Sequence, residues 1–281
     1  MIISGATSSI LGLPVQRIPL VPEGVPQVVT SSHPWKVSLI QKKFGRMLSD
    51  EEEEQIRVAS PDVVCFSEYA FWPAEEKLTK QEFSGKTEAT QIWLSRFSSK
   101  LEGLVLGTTV IPLEEGGGFG NVCFIYYKGE IIGGYQKINP TTLERERGIL
   151  PGQIFPFFEW RGRRLAILIC NDVLLGTEPL RQEVRFHFGL FEELRSLQLD
   201  VIFVPLISPY RPTDTLVTKE GRDQTFQEMA RRANAHIVKI SGVDKLEGEE
   251  TCGRSLVINQ KGDILTKPSE EDHERILFCM L

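Results

Sequence analysis

Short apolar runs alternate with amphipathic, charged stretches along most of the chain. The apolar runs have the length and the β-branched content of strands, and the amphipathic stretches have the spacing of helices. The predicted strands are Lys36–Gln41, Asp62–Phe66, Leu104–Ile111, Asn121–Tyr127, Glu130–Gly134, Arg164–Cys170, Asp200–Pro205, His236–Ile240, Ser255–Asn259, Asp263–Thr266 and Arg275–Met280. The predicted helices are Ser49–Val58, Lys80–Leu101, Glu178–Gln198 and Lys219–Ala235.

The order of these elements favours mixed sheets. Strands alternate with helices early in the chain, and later strands follow one another through polar, glycine-containing turns. Tyr127-Lys128-Gly129-Glu130 and Asn259–Asp263 each predict a hairpin.

Two other conspicuous segments have ordinary explanations. The acidic run Asp50–Glu54 follows Ser49 and predicts a solvated helix start. The run Gly116–Gly120 lacks the Lys-Ser/Thr ending of a phosphate loop and predicts a plain loop.

Length and composition predict one soluble, globular domain. The chain has 281 residues, with 41% hydrophobic and 25% charged residues and no internal repeat or clear linker. The formal net charge of -6 argues against nucleic acid or an anionic membrane as the main partner. Residues 1–34 are mildly apolar and broken by prolines, which predicts an extended arm on the body or on a second subunit. Residues 35–281 are the predicted domain.

The cysteines predict neither a disulfide framework nor a metal site. The chain has five cysteines, far apart and without a C-x-x-C pair or zinc spacing. Cys65, Cys123 and Cys279 fall inside apolar runs and are interpreted as core thiols. A reducing, cytoplasmic compartment is therefore expected.

A fourth cysteine stands where a buried strand ends. The apolar run Leu165–Ile169 is followed at once by Cys170, Asn171 and Asp172. Residues just beyond the carboxyl end of a buried strand often line a site, so Cys170 is a candidate nucleophile. The alternative is a structural thiol, because free cysteine is commonly buried as a small hydrophobe.

Two further predicted strands are followed by charged residues that could act together with a thiol. Asp62–Phe66 runs into Glu68, and Ile131–Gly134 runs into Lys137. Either residue alone has an ordinary explanation as a loop carboxylate or a solvated lysine. Together with Cys170 they place a carboxylate, an ammonium and a thiol at three strand ends.

In this order and setting, the three residues resemble the nitrilase superfamily of carbon–nitrogen hydrolases. Asp62–Glu68 is similar to the strand that leads to the family's general-base glutamate. Asn121–Ile125 followed by Tyr135-Gln136-Lys137 is similar to its Asn-containing strand and Tyr-Arg-Lys motif. Leu168–Asp172 resembles its nucleophile segment. Two later segments also match: Asp200–Pro205 and Gly253–Ile258.

The resemblance implies a fold and a site. The implied fold class is α/β, an α-β-β-α sandwich with two mixed β-sheets that often pairs into a homodimer or higher homo-oligomer. The implied roles are general base for Glu68, oxyanion stabiliser for Lys137 and nucleophile for Cys170. Lys137–Arg145 resembles the Lys-x-x-Pro-Thr-x-x-Glu-Arg pattern of nitrilases, which points to Glu144 as a supporting glutamate; Glu146 is the alternative.

Departures from the family pattern affect the substrate more than the reaction. Asn171 stands where an aromatic residue commonly follows the cysteine; its backbone N–H can support the oxyanion, while its side chain alters the pocket. Phe71 and Trp72, just after Glu68, are either an apolar pocket wall or packing aromatics. Ser67 replaces a common proline.

The function implied is hydrolysis of a non-peptide carbon–nitrogen bond in a small amide, ureido compound or nitrile. A cysteine thioester or thioimidate intermediate is expected, with no cofactor and no metal. Two alternatives stay open: a cysteine-dependent N-acyltransferase, in which an amine resolves the thioester, and a non-catalytic binding protein with this fold. The absence of predicted spanning helices lowers the first, and the complete Glu68–Lys137–Cys170 set argues against the second.

Overall fold

The strands and helices of the chain are defined here by a computed structural model that describes residues 9–20, 34–72, 80–113, 117–173, 188–207, 219–246, 249–266 and 273–281. The helices are α1 (Asp50–Ala59), α2 (Lys80–Ser98), α3 (Thr142–Glu146), α4 (Phe188–Arg195) and α5 (Lys219–Ala233). The strands are β1 (Ser9–Ile10), β2 (Leu13–Pro19), β3 (Lys36–Gln41), β4 (Val63–Phe66), β5 (Leu104–Pro112), β6 (Phe119–Tyr127), β7 (Glu130–Gln136), β8 (Phe155–Trp160), β9 (Arg163–Ile167), β10 (Val201–Leu206), β11 (His236–Ser241), β12 (Val243–Leu246), β13 (Glu249–Cys252), β14 (Leu256–Ile258) and β15 (Arg275–Met280).

The strands form two large sheets and a small hairpin. One sheet has six strands in the order β15-β3-β4-β5-β6-β7, and the other has seven in the order β1-β2-β8-β9-β10-β11-β14. Strands β3, β4 and β5 are parallel, as are β9, β10 and β11, while the remaining pairs in each sheet include antiparallel ones. Both sheets are therefore mixed, as predicted. Strands β12 and β13 pair with each other.

The two sheets pack face to face, with helices on their outer sides. A single apolar cluster joins Leu39 and Cys65 of the six-stranded sheet to Ile167 and Phe203 of the seven-stranded sheet. Helix α2 covers the other face of the six-stranded sheet through a second apolar cluster that includes Phe97. Helices α4 and α5 pack together, and α5 contacts β11 and β14. The predicted α-β-β-α sandwich is confirmed.

The apolar patterns located the central strands well and the edges less well. β3 and β15 have the predicted bounds, and the hairpin at Lys128-Gly129 joins β6 to β7. The prediction of a strand over Asp263–Thr266 is wrong. The Asn259 side chain accepts from the backbone N–H groups of Lys261 and Asp263, and this turn leaves only an isolated bridge, from Ile258 to Ile264.

Several predicted elements end earlier than expected, and two of them lie near Cys170 in the chain. The strand predicted to reach Cys170 stops at Ile167, and the chain then enters a 3₁₀ turn over Cys170–Val173. The helix predicted over Glu178–Gln198 covers Phe188–Arg195 in the described residues; residues 178–187 lie outside them. The patterns missed β8, α3 and the β12–β13 hairpin.

The part of the predicted arm that the structure describes joins the seven-stranded sheet. β1 pairs with β2, and β2 runs parallel to β8. Its boundary with a domain from residue 35 stays a prediction. No helix in the described ranges has the length and apolar character needed to cross a membrane.

Candidate active site

The structure brings the three predicted strand-end groups together. Glu68 follows β4 and Lys137 follows β7, both in the six-stranded sheet. Cys170 follows β9 in the seven-stranded sheet. The site therefore lies where the ends of strands from both layers meet, and each layer contributes a different part of it.

Lys137 is the centre of a buried cluster of charges. Its ammonium Nζ lies 2.8 Å from Glu68 Oε1 and 2.8 Å from Glu144 Oε2. The Lys137 and Glu68 side chains are each 1% exposed. The Lys137 backbone is held as well, since its N–H donates to the Asn121 carbonyl and its carbonyl accepts from the Gly152 N–H. These contacts fix an ammonium between two carboxylates, with little access to solvent.

Glu144 enters this cluster because α3 begins beside it. Thr141 caps the helix, and the Glu144 carboxylate accepts from the Thr141 backbone N–H at 2.7 Å, completing a capping box. The same carboxylate accepts from Lys137 and from the Tyr69 hydroxyl, the latter at 2.7 Å. Glu146, the alternative, is exposed. The structure therefore places Glu144, and not Glu146, at the site.

Two residues at the site were not predicted as site residues. The Asn121 amide Nδ2 donates to Glu68 Oε1 at 2.8 Å and to Glu144 Oε1 at 2.9 Å. It lies 3.2 Å from the Tyr69 hydroxyl. Tyr69 has a φ of 53°, a conformation rare for a non-glycine residue, which lets consecutive side chains at 68 and 69 face one site. Asn121 stands in a motif that carries the resemblance, whereas no local pattern marked Tyr69.

Cys170 lies at a sharp turn between β9 and the 3₁₀ segment. Its φ is 45°, in the left-handed region that costs a non-glycine residue about 1–2 kcal/mol. The thiol Sγ is 3.6 Å from the Ile207 carbonyl, and its interaction with the Glu68 carboxyl opposes in small part the burial that raises the pKa of Glu68. Cys170 is partly exposed, unlike Glu68, Lys137 and Glu144, which are buried. Cys170 is therefore the least buried member of the cluster, and the charged groups lie behind it.

Asp172 holds this turn in place. Its carboxylate accepts from the backbone N–H of Ile169 at 2.8 Å, from the Tyr135 hydroxyl at 2.7 Å and from the backbone N–H of Asn139 at 2.7 Å. Burial raises the pKa of Asp172 to about 6, although the Lys137 charge and these hydrogen bonds oppose the shift. The sequence showed Asp172 only as part of the cysteine motif.

The cluster carries two negative charges and one positive charge, and this balance sets the pKa values. Burial lowers the pKa of Lys137, but the charges of Glu68 and Glu144 outweigh it and hold that pKa well above its usual value. Burial raises the pKa of Glu144, and Lys137 more than reverses this, to about 2. For Glu68, burial prevails over Lys137 and the pKa is raised. Lys137 is therefore charged, and Glu68 is the carboxyl group better suited to exchange a proton.

The charges around Cys170 act on its thiol in opposite directions. A neighbouring ammonium such as that of Lys137 favours the thiolate. In the structure, burial and the Glu68 charge together outweigh Lys137, and the pKa of Cys170 is raised well above its usual value. A thiol with a raised pKa is protonated at neutral pH, and it becomes a thiolate only if a nearby base takes the proton.

The remaining predicted residues fall into different surroundings. Phe71 packs in the core with its ring centroid 5.1 Å from that of Phe66, which is a packing role. Trp72 is 1% exposed and packs against Tyr69, with ring centroids 6.0 Å apart, so it lies behind the site. Asn171 directs its side-chain amide to the Asn139 carbonyl at 3.0 Å.

None of the side-chain clusters among the residues that the structure describes meets the requirements of a metal site. Among those residues, no group of three or more His, Cys, Asp and Glu side chains is placed to hold a metal ion. The carboxylates at the site are instead engaged by Lys137, Asn121 and Tyr69.

The two mixed sheets, with their outer helices and this strand-end site, define the class: the chain has the nitrilase-superfamily fold. A nitrilase-superfamily amidase from Nesterenkonia sp. AN1 superposes with a TM-score of 0.69 at 16% identity, over 90% of this chain and 93% of that one. One structure of the amidase carries the acetamide moiety of fluoroacetamide at its active-site cysteine. Another is a complex with butyramide.

Two synthetases show a partial similarity. The glutamine-dependent NAD+ synthetase from Acinetobacter baumannii superposes with a TM-score of 0.67 at 20% identity, over 87% of this chain and 45% of that one. The glutamine-dependent NAD(+) synthetase of Acinetobacter baylyi is 23% identical over 219 residues, which are 76% of this chain. The similarity spans only 37% of that relative's length. No family model matches the chain.

Proposed function

We propose that this protein is a carbon–nitrogen hydrolase that cleaves a small primary carboxamide through a thioester on Cys170. The observation that carries the proposal is the buried Glu68–Lys137–Glu144 cluster beside a partly exposed cysteine. The fold that this chain shares with an amidase supports the same reaction class. Membership of the nitrilase superfamily is part of the proposal.

The first step moves a proton from the Cys170 thiol to Glu68 while sulfur attacks the amide carbon. This transfer leaves the net charge of the buried cluster unchanged, because the negative charge passes from carboxylate to sulfur. A buried site resists a change in net charge far more than an internal transfer. General-base action of this type contributes roughly 10²–10⁴ in rate.

The second step collapses the tetrahedral intermediate. Its oxyanion is held by the Lys137 ammonium and by the backbone N–H of Asn171, and loss of one such donor typically costs about 3–4 kcal/mol. Protonated Glu68 gives its proton to the departing nitrogen, so the C–N bond breaks and ammonia leaves. Glu68 then takes a proton from water, whose oxygen attacks the thioester. The carboxylic acid is released and the thiol is restored.

A specific observation favours glutamine as one substrate to test first. Both synthetases that resemble this chain are glutamine-dependent, and they match it over only part of their length. The second candidate function is therefore release of ammonia from glutamine. Its distinguishing feature is a preference for glutamine over short aliphatic amides.

The test combines a panel of substrates with covalent labelling of Cys170. Purified protein and its Cys170→Ala variant are compared for ammonia release from glutamine, short aliphatic amides, carbamoyl compounds and nitriles. Separately, fluoroacetamide should add an acetamide group at Cys170, as the thiol proton passes to Glu68, an S–C bond forms and fluoride leaves. Ammonia release that is unchanged in Cys170→Ala would contradict the proposal.

Two alternatives are outcomes of the same assay. If added hydroxylamine captures the acyl group and water does not, the protein is an N-acyltransferase. If wild-type protein neither releases ammonia nor takes up fluoroacetamide, the non-catalytic binding function is favoured. The homo-oligomeric state and the cytoplasmic location are further predictions, independent of this assay.

A further inference from the structure

Two short segments that carry groups of the proposed site come from different sheets. Residues 137–139 follow β7, and residues 170–172 follow β9. Sheet hydrogen bonds therefore do not set the distance between Lys137 and Cys170, because no ladder joins these two strands. This distance depends on the packing of the two sheets, on the bond from the Tyr135 hydroxyl to Asp172, and on direct contacts between the two segments.

A reciprocal pair of asparagines joins the segments. The Asn171 side-chain Nδ2 donates to the Asn139 carbonyl at 3.0 Å, and the Asn139 side-chain Nδ2 donates to the Asn171 carbonyl at 2.9 Å. The Asn139 backbone N–H adds a bond to Asp172 at 2.7 Å. Asn171 is 9% exposed, so water competes weakly with its contacts. The two loops are thus tied side chain to backbone in both directions.

The position of the pair relates it to the two reacting groups. Asn171 is next to Cys170, whose backbone lies in the left-handed region at φ 45°. Asn139 is two residues after Lys137. A residue held in such a conformation persists only where its surroundings determine it. A shift of either loop would change the distance from the thiol to the ammonium.

We propose that the Asn139–Asn171 pair is a positioning device that sets the Cys170 thiol against Lys137 and Glu68. The inference rests on the proposed function and deepens it, by assigning positioning residues for the nucleophile. Neither asparagine side chain needs to contact the substrate in this role. Misplacement of reacting groups by about 1 Å can cost up to about 10²-fold in rate.

The test uses Asn139→Leu, Asn171→Leu and the double variant, because leucine has a similar volume but makes no hydrogen bond. Asn139→Ser and Asn171→Ser are smaller changes for use if leucine impairs folding. Thermal melting selects variants folded as the wild type. Asn259→Ala is the matched control, since Asn259 lies in the turn after β14, away from the site.

The main readout is the rate at which iodoacetamide modifies Cys170, followed by peptide mass mapping. It does not require a substrate, so it tests the positioning role even if no amide is hydrolysed. Where an amide substrate exists, kcat and KM are measured too. We expect each single variant to change the modification rate about tenfold from the wild type, because the thiol moves relative to both the Glu68 and Lys137 charges. The double variant should match the more affected single variant, and kcat should fall with little change in KM.

Two results would overturn the inference. One is modification of Cys170 at the wild-type rate in folded single variants. The other is a double variant whose change in rate equals the product of the two single changes, because independent effects mean that the asparagines do not act as a unit.

Discussion

Glu68 and Lys137 form an ion pair at 2.8 Å in which each side chain is 1% exposed. A pair this deeply buried is costly to break, because removing one partner leaves an uncompensated charge. In this protein Lys137 also compensates Glu144, so its loss would leave two carboxylates facing each other.

Lys137→Met should therefore lower the free energy of unfolding by about 3–5 kcal/mol and abolish amide hydrolysis. Urea denaturation measures the first effect and ammonia release the second. Lys43→Met is the matched control: Lys43 pairs with Asp244 at 2.9 Å, but both side chains are well exposed. The control should unfold at close to the wild-type urea concentration. Equal stability of the two variants would contradict the buried role of Lys137.

Glu68→Gln should affect catalysis and thiol ionisation in opposite directions. Hydrolysis should fall by about 10²–10⁴ because the general base is lost. The pH profile of Cys170 alkylation should move to lower pH, since after burial the Glu68 charge is the next cause that raises the thiol pKa. Glu54→Gln, on the exposed face of α1, serves as control. An alkylation profile that stays in place would show that Glu68 does not act on the thiol.

Glu144→Gln and Glu146→Gln compare two glutamates of one short helix. Glutamine keeps the capping box, so α3 should persist in both variants. Hydrogen bonds to charged groups are worth about 1.5–3 kcal/mol, so Glu144→Gln should lower kcat/KM about 10- to 100-fold. Glu146→Gln should leave it unchanged, because that side chain is exposed. A larger loss of kcat/KM in Glu146→Gln than in Glu144→Gln would assign the supporting role to Glu146 instead.

The raised pKa of the Asp172 carboxyl predicts opposite trends for stability and activity in mild acid. Its folded-state pKa, about 6, lies above the usual value. The folded state therefore binds the proton more tightly, and stability should increase as pH falls from about 6 to about 4. Activity should decrease over the same interval, because a protonated carboxyl cannot accept all three hydrogen bonds. The check is to measure melting temperature and kcat/KM against pH for the wild type and for Asp172→Asn. The changes between about pH 6 and about pH 4 should be absent from the variant, and a change that persists there belongs to another group.

The backbone at Cys170 predicts an unusual order of stability for two inactive variants. At φ 45° an alanine keeps the strain of the left-handed region, whereas glycine adopts it freely. Cys170→Gly should therefore be more stable than Cys170→Ala by about 1 kcal/mol, although glycine usually destabilises. Differential scanning calorimetry of the two proteins measures the difference. A higher melting temperature for the alanine variant would mean that the turn relaxes when the thiol is removed.

The central strands could be predicted from the sequence because they are buried on both faces. β3, β4, β5 and β10 are rich in apolar and β-branched residues, a pattern that can be recognised without knowledge of their partners. β2 and β8 show no such run, and their pairing with each other and with β1 and β9 makes them strands. α3 is short, but Thr141-x-x-Glu144 is a capping-box signal that could have revealed it.

The candidate site was predicted in part. Glu68, Lys137, Glu144 and Cys170 stood in recognisable sequence settings, and the structure brings them together. The positions of Tyr69 and Asn121 depend on packing between β4, β6 and α3, which no local pattern encodes. The raised pKa of the thiol likewise arises from burial in the assembled sandwich.

The division of the site between two sheets has a consequence for folding. Glu68, Asn121 and Lys137 belong to the six-stranded layer, whereas Cys170 follows a strand of the seven-stranded layer. Until the layers dock through their shared apolar core, the Glu68 carboxyl and the Cys170 thiol are apart. A chain still being synthesised, or one partly unfolded, therefore carries an ordinary thiol. The thiol therefore acquires its charged neighbours only when the two sheets pack together.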